Sequence, residues 1–474
     1  MAISKIAEPD DFSPAYNPLR FIYNGTNKNE AGYKYVFDVY ESGTANKIGE
    51  YRVFPRYSDG YGEIDLSPLL RTKVTYTTTN GTTDQPATES FYKYDVKIGE
   101  EYIVVVSYTA SLTNNSGNVK ITATHAYQVG DQVLISQTNG GTVNPQLEGL
   151  HTVTAITGTT DFTVSALWSD ITDATENGTV QYADNRKTIT RDIVTELNKY
   201  VYNGAFKHND WVGYTGTDYI LTANTDKFLT NQPQEFYITE EQEVFFNICT
   251  AGITTGFLVF ENDGGDILKY AVNTASYIVR CAVGASANPS TVVSGTAGHI
   301  KSDTEWYDVW YTNAGGTQHS VKYRFYIDRR CRIEEYQLLF IDRMGSESSF
   351  AFPLRSYERG TITRDAYNQR IAGSVSGSVW DYSVAEYGMK TYKVGIEKTM
   401  ELNTNWMTEE MAAYFEELLT SPLVYLWDGV SLNWTYSFPC TIVDSSFEVE
   451  RQRNKNLIRK TVTIKLANQD VVNV

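Results

Sequence analysis

Catalysis in this chain of 474 residues would have to start from a few side-chain constellations. Five histidines (His125, His151, His208, His299 and His319) are scattered, with no His-x-x-x-His pair to hold a metal on one helix face. Four cysteines (Cys249, Cys281, Cys331 and Cys440) lie far apart and form no Cys-x-x-Cys pair. They give neither a zinc signature nor a disulfide framework, so buried thiols in a reducing compartment are expected. Gly373-Ser374-Val375-Ser376-Gly377 has the outer glycines of a nucleophile elbow, but its centre is Val, so it reads as a turn. No Gly-x-x-x-x-Gly-Lys-Ser/Thr phosphate loop occurs. Glycoside cleavage needs two carboxylates about 5–10 Å apart. Asp59, Glu63 and Asp65 surround the Gly60/Gly62 turn, and Asp263 and Asp266 could reach a calcium ion at another. Turn chemistry is the preferred reading of both groups. We therefore expect no enzyme activity, no catalytic residues, no cofactor and no metal site.

Aromatic clusters offer a different chemistry. Trp211, Tyr214 and Tyr219 sit among Gly and Asp, and Trp306, Tyr307, Trp310 and Tyr311 are denser still. Flat rings beside polar groups stack on sugars or anchor protein partners. Core packing is the plainer reading, and it is preferred here. Tyrosine dominates the aromatic content, with 35 Tyr against 20 Phe and 8 Trp. It suits both strands and half-wet contact surfaces. The net charge of -17, from 40 Lys+Arg and 57 Asp+Glu, argues against nucleic-acid binding. Arg329, Arg330 and Arg332, and the run Arg451, Arg453, Lys455, Arg459 and Lys460, are local exceptions that read as solvated or interface faces. No apolar run has the length of a signal peptide or of a roughly 20-residue membrane span. Synthesis in the cytoplasm and no membrane insertion are expected.

The elements around these residues read as mainly β: several β-sandwich or small-barrel domains, with one short C-terminal helix packed on a sheet. Residues 1–18 read as an N-terminal arm. Residues 19–114 plus 183–300 read as a β-sandwich host, with Tyr35, Phe37 and Val39 on one strand face. Residues 115–182, small and polar, read as an inserted small β domain whose core takes Val129, Val133, Ile135, Val153, Ile156, Phe162 and Val164. Phe257–Phe260 and Ile267–Tyr270 flank a Gly-rich hairpin turn. Residues 284–302 read as a long exposed loop. Residues 301–400 form a further β domain, and residues 401–474 a helix plus β-hairpin unit. Thr408 caps the helix, and Met411, Phe415, Leu418 and Leu419 line one face. Ser421-Pro422 stops it, and Ser446–Arg451 pairs with Leu457–Leu466. Thr-Ile-Thr-Arg-Asp occurs twice, at Thr188–Asp192 and Thr361–Asp365.

Three passages resemble tail structural proteins of phages infecting Bacteroidetes. The first is Asn17-Pro18-Leu19-Arg20-Phe21 with Tyr33–Tyr40 and the Asp59-Gly60-Tyr61-Gly62 turn. The second is Cys331–Phe352, including Tyr336–Gly345 and Phe350-Ala351-Phe352. The third is Trp406–Glu410 with Leu419–Leu426 and Val443–Phe447. The Val129–Val133 module is similar to small β domains that decorate virion proteins. The resemblance implies a virion protein, ring-forming at the distal tail or baseplate, made in the bacterial cytoplasm. Its implied partners are copies of itself, in a six-fold ring, and other phage tail proteins. A carbohydrate- or receptor-binding tail module touching host surface glycans, or a neck or portal-proximal ring protein, are the alternatives.

Overall fold

The computed structural model describes residues 3–76, 84–109, 112–184, 187–250, 256–272, 276–285, 292–295, 300–330, 335–370, 373–381, 385, 388–427, 438–443, 458–466 and 470–473. The chain is mainly β, as expected, and forms two compact units. The first comprises Met1–Ser13, Pro18–Leu69 and Lys93–Tyr200, and the second Pro14–Asn17, Leu70–Tyr92 and Val201–Val474.

In the first unit, Ile3–Ala7, Arg20–Gly25 and Gly62–Asp65 form a three-stranded antiparallel sheet. A five-stranded sheet runs in the order Phe12–Pro14, Lys187–Tyr202, Phe91–Ile103, Lys34–Glu41, Lys47–Val53. Tyr23 of the smaller sheet meets Phe37 of the larger edge-on, with ring centroids 6.1 Å apart. Tyr35, Phe37 and Val39 are fully buried. The opposite face of that strand is closed by charge: buried Asp38 pairs with Lys47 at 2.9 Å and with Arg191.

Residues 3–18, within the segment read as an arm, are tied to the body of the chain. Ile3–Ala7 is a paired strand, Phe12 is buried, and buried Lys199 binds Asp11 at 2.7 Å. Backbone pairing needs no apolar periodicity, so this segment left no pattern to read.

The small β module has its own seven-stranded sheet, ordered Leu112–Asn115, Asn118–Thr122, Asp161–Leu167, Gly149–Ile156, Gln132–Gln137, Gly178–Tyr182, Val105–Tyr108. It therefore begins at Val105, before the boundary expected at 115. Val133, Ile135, Val153, Phe162 and Val164 are buried in its core, and Ile156 packs at the margin. Val129 is instead exposed, because it sits in the tight turn closed by Asp131 N donating to Gln128 O. The module's entry and exit strands are paired, with Val105 opposite Gln181. Joining them with a short Gly/Ser linker in place of residues 105–182 should leave the rest of the unit folded, since closure over a short span costs little. A urea titration of this deletion is expected to remain cooperative; a broad, non-cooperative transition would show that the module supports the unit.

The second unit contains a six-stranded sheet in the order Glu235–Thr239, Tyr323–Asp328, Trp306–Asn313, Gly256–Asn262, Ile267–Ala271, Val292–Ser294. A larger sheet runs Glu347–Phe352, Tyr336–Ile341, Val424–Trp427, Phe438–Ile442, Thr461–Leu466, Gly388–Asn403, Tyr357–Gln369, with Asp470–Asn473 also on Gly388–Asn403. A third sheet joins Phe245–Cys249, Ile278–Ala282 and Gln85–Pro86. These pairings redraw the expected domains. Residues 201–300 fold with residues 301–474 and with 70–92, rather than with 19–69 and 93–114. The expected break between 400 and 401 falls inside Gly388–Asn403, which pairs with Thr461–Leu466. Composition reports local texture, whereas sheet partners are set by contacts far along the chain.

The C-terminal helix is Glu409–Thr420. Met411 N donates to the Thr408 side chain at 3.3 Å, which satisfies one of the unpaired amides of the first turn. Met411, Phe415 and Leu418 join Val462 and Ile464 in one core, with Leu419 and Leu466 packed against it. Phe415 meets Phe350 edge-on at 5.2 Å. The partner expected for Leu457–Leu466, at 446–451, lies outside the described residues, as do most of 284–302.

Candidate functional site

The carboxylates singled out in the sequence are held by turn chemistry. Arg56 donates to Asp59 Oδ1 at 3.1 Å and to Glu63 Oε2 at 2.6 Å, bringing those two together. The guanidinium holds the Asp59 carboxyl below its usual range. Asp65 sits apart from this pair and accepts the amides of Leu19 and Ser67 at 2.9 Å each. Asp263 accepts Glu305 N at 2.7 Å, while Asp266 accepts Asn262 Nδ2 at 3.0 Å and pairs with Lys301.

The histidines do not converge. His125 Nδ1 accepts Tyr127 N at 3.1 Å inside the small module, His151 approaches Ser165, His208 opens a short helix, and His319 lies near Asn313 and Leu221 O. His299 and Cys331 lie outside the described residues. Cys249 and Cys281 are buried and Cys440 is half-buried. Burial, and then the neighbouring Asp84, push the Cys281 thiol well up, which makes it a poor nucleophile. Ser374–Ser376 pairs with Val379–Asp381 around Gly377, whose φ is +65°. This is a small hairpin, with no elbow.

The aromatic clusters separate by face. Along Trp306–Asn313, Tyr307 and Tyr311 point into the core and are fully buried. Trp306 and Trp310 point the other way, covered by Arg324 at 3.8 Å and Lys322 at 4.0 Å from their ring centroids. Trp211, Tyr214 and Tyr219 do gather, around Phe206. Trp211 stacks on Tyr214 at 5.1 Å, and Tyr214 on Tyr219 at 6.0 Å. Tyr214 and Tyr219 border a cleft of about 600 Å³ that also takes in Lys207, Asp210, Asp218, Lys227, Asn231 and Glu417. Glu417 is committed there, accepting Asn231 Nδ2 at 3.1 Å and Arg343 N at 2.7 Å. Because the rings face one another, their flat faces are largely used in packing the cleft's wall.

Two features escaped the sequence reading. The first is a long ribbon. Tyr357–Gln369 pairs with Gly388–Asn403 from Tyr357↔Glu401 to Gln369↔Gly388, and Tyr357–Asn368 is exposed throughout. Tyr357–Gln369 is also the end strand of its sheet among the described residues. Ile362, Tyr367, Met389 and Tyr392 stand in solvent, as does Trp380 of the small hairpin between the two strands. The second feature is a groove of about 630 Å³. Tyr237 and Tyr326 stack at 4.9 Å on its wall, directly opposite one another on parallel strands, and Trp406 reaches it from the segment before the helix.

No protein-family profile matches the chain, and no curated protein matches it. Among solved structures, the Salmonella alpha-2-macroglobulin reacted with methylamine aligns with 100% of this chain at 8% sequence identity and a TM-score of 0.15. The chain spans 34% of that protein's length. At this score the likeness carries no argument about fold or function.

Proposed function

We propose that this chain is a structural subunit of a phage tail, which closes into a ring with copies of itself and docks other tail proteins, acting by association rather than catalysis. The sequence resemblance motivates the reading, and the ribbon Tyr357–Gln369/Gly388–Asn403 is the observation that supports it. Its outer end, where Ala366–Gln369 pairs with 388–391 and no third strand is added among the described residues, is an exposed two-stranded ribbon, which is marginal in water. A long unpaired edge also invites another chain. The outer part of its strands carries Arg364, Lys390 and Lys393, with Arg370 just beyond, against Asp365 and the hairpin's Asp381. This local excess of positive charge stands in a chain of net charge -17. A cationic ribbon fits an acidic body, and the acidic body at hand is a second copy. Head-to-tail contacts between unlike patches of one chain are what close a cyclic ring, six-fold in the family that the sequence resembles.

The test is sedimentation velocity of the full chain across concentration and salt, beside a Tyr367→Ser/Tyr392→Ser variant. These rings meet at 6.2 Å and are exposed, so thermal unfolding should be unchanged. The parent is expected to form one closed species. The variant should need at least about tenfold more protein to do so, as loss of aromatic anchors implies. Moderate salt should first help, by screening repulsion between copies. A parent monomeric under every condition, or a variant that assembles like the parent, would count against the reading.

A further inference from the structure

We propose that the groove beside Trp406 is a binding site for a short, uncharged oligosaccharide. This does not rest on ring assembly, since none of the residues involved lies in the ribbon Tyr357–Gln369/Gly388–Asn403.

The argument begins with the strands. Tyr237 and Tyr326 are register partners on Glu235–Thr239 and Tyr323–Asp328, so both rings lie on the same face of the six-stranded sheet. That face is not the core face: Phe236 and Phe325, one residue earlier on each strand, are buried, while Tyr237 is 47% exposed. Trp406 is 54% exposed, although Met407 beside it is buried and anchors the segment by a bridge to Ile458. Met407 N donates to Ile458 O at 2.9 Å and Ile458 N to Met407 O at 2.8 Å. An exposed Trp on a tied-down segment loses little conformational freedom on binding, which is the property of an anchor.

The polar groups of the groove are planar and pre-positioned. Asp328 accepts Arg330 Nε at 2.9 Å and Nη2 at 2.7 Å, and Asn405 Nδ2 at 2.8 Å. This leaves Arg330 Nη1 and Asn405 Oδ1 without a partner among the described residues, a donor and an acceptor held by one carboxylate. Glu305 is a further lining acceptor. A flat exposed ring for the C–H face of a pyranose, here Trp406 beside the stacked Tyr237–Tyr326 pair, and fixed planar donors and acceptors for its hydroxyls are the two requirements of sugar recognition. A volume of about 630 Å³ falls in the range of small-ligand clefts, roughly 300–1,000 Å³. Arg330 is already neutralised by Asp328, and Glu305 adds negative charge, so an anionic glycan is disfavoured.

The cleft beside Tyr214 is the internal comparison: its tryptophan, Trp211, is stacked on Tyr214, whereas Trp406 is 54% exposed. The experiment is a glycan array probed with the full chain, followed by calorimetric titration of the neutral oligosaccharides that bind. Trp406→Ala should weaken binding about tenfold or more, as removal of a central aromatic anchor does. Trp406→Phe should restore part of it, and Trp211→Ala should leave it unchanged. Trp406 is exposed, so its loss is not expected to alter thermal unfolding, which is recorded for each variant. The proposal is overturned if no neutral oligosaccharide binds, if Trp406→Ala binds like the parent, or if Trp211→Ala is the variant that loses binding. Sedimentation of the same variants separates this site from assembly: rings without sugar binding would sink this proposal alone.

Discussion

Glu347→Ala is expected to lower the folding stability of the second unit by about 3–5 kcal/mol, because it takes from a buried guanidinium the carboxylate that it binds. Arg280 is 1% exposed and Glu347 2% exposed. Arg280 Nε donates to Glu347 Oε2 at 2.8 Å, and the guanidinium carbon lies 3.5 Å from the centroid of the Phe245 ring. The pair is part of a polar seam between Glu347–Phe352 and the chain around Phe245–Cys249. Gln242 Nε2 donates to Ser349 O at 2.9 Å, Asn247 N to Ser346 Oγ at 2.9 Å, and Asn247 Nδ2 to Gly345 O at 2.9 Å. Removing Glu347 takes away the carboxylate bound to Arg280 Nε, in a medium that solvates the guanidinium poorly. Replacing both, as Arg280→Met/Glu347→Leu, should recover much of the loss, since the pair as a whole repays little more than its own desolvation. Urea unfolding of parent, single and double variants at neutral pH measures this. A single variant within about 1 kcal/mol of the parent would mean that water reaches Arg280.

This seam shows why part of the molecule could be read in advance and part could not. The helix Glu409–Thr420 was legible because every signal is local: a Thr cap, two acidic residues in the first turn, apolar residues three and four apart, and Ser421-Pro422 at the stop. The strand Lys34–Glu41 was legible from its alternation. Glu347, by contrast, is an ordinary acidic residue in the sequence, and only its pairing with a strand 67 positions away puts it in the core. The ribbon failed for the converse reason. With both faces in solvent, Tyr357–Gln369 needs no apolar alternation, and only the repeated Thr-Ile-Thr-Arg-Asp drew attention to it.

The candidate sites divide in the same way. Trp211, Tyr214 and Tyr219 are neighbours in sequence and were found together, yet they turn their rings toward each other. Tyr237, Tyr326 and Trp406 come from three separate segments, and no spacing connects them. The period-two splitting of Trp306, Tyr307, Trp310 and Tyr311 into outward tryptophans and inward tyrosines was available from strand geometry alone. What the sequence lacked was a reason to choose which pair faces the core.

Asp342 supplies the second large expected effect, a loss of stability as pH rises. Its side chain is buried at the turn between Tyr336–Ile341 and Glu347–Phe352. Oδ1 accepts Met344 N at 2.9 Å and Ser346 N at 2.8 Å, and Oδ2 lies 2.9 Å from Thr230 Oγ1 and 3.4 Å from the Tyr414 hydroxyl. Burial, and then the charge of Glu417, push its carboxyl up to about 8. Glu417 is itself raised by burial, opposed by the Arg343 amide and charge. A carboxyl raised in the folded state binds its proton more tightly there than in the unfolded chain. Its contribution is therefore complete below about pH 4, the unfolded value, and is lost as pH climbs through 8. Asp84, raised by burial to about 7, acts with the same sign. Stability of the second unit should fall by a few kcal/mol between pH 5 and 9. Asp342→Asn keeps an acceptor for the two amides and places an NH₂ beside Thr230, with no proton to lose. It should flatten the decline, leaving the share due to Asp84 and Glu417, and should stand above the parent at pH 9. Asp342→Ala should instead cost about 3 kcal/mol or more at both pH values, because two buried amides lose their acceptor. Urea midpoints at pH 5 and pH 9 for the three proteins decide it: parallel lines for the parent and Asp342→Asn would show that Asp342 is ionised throughout.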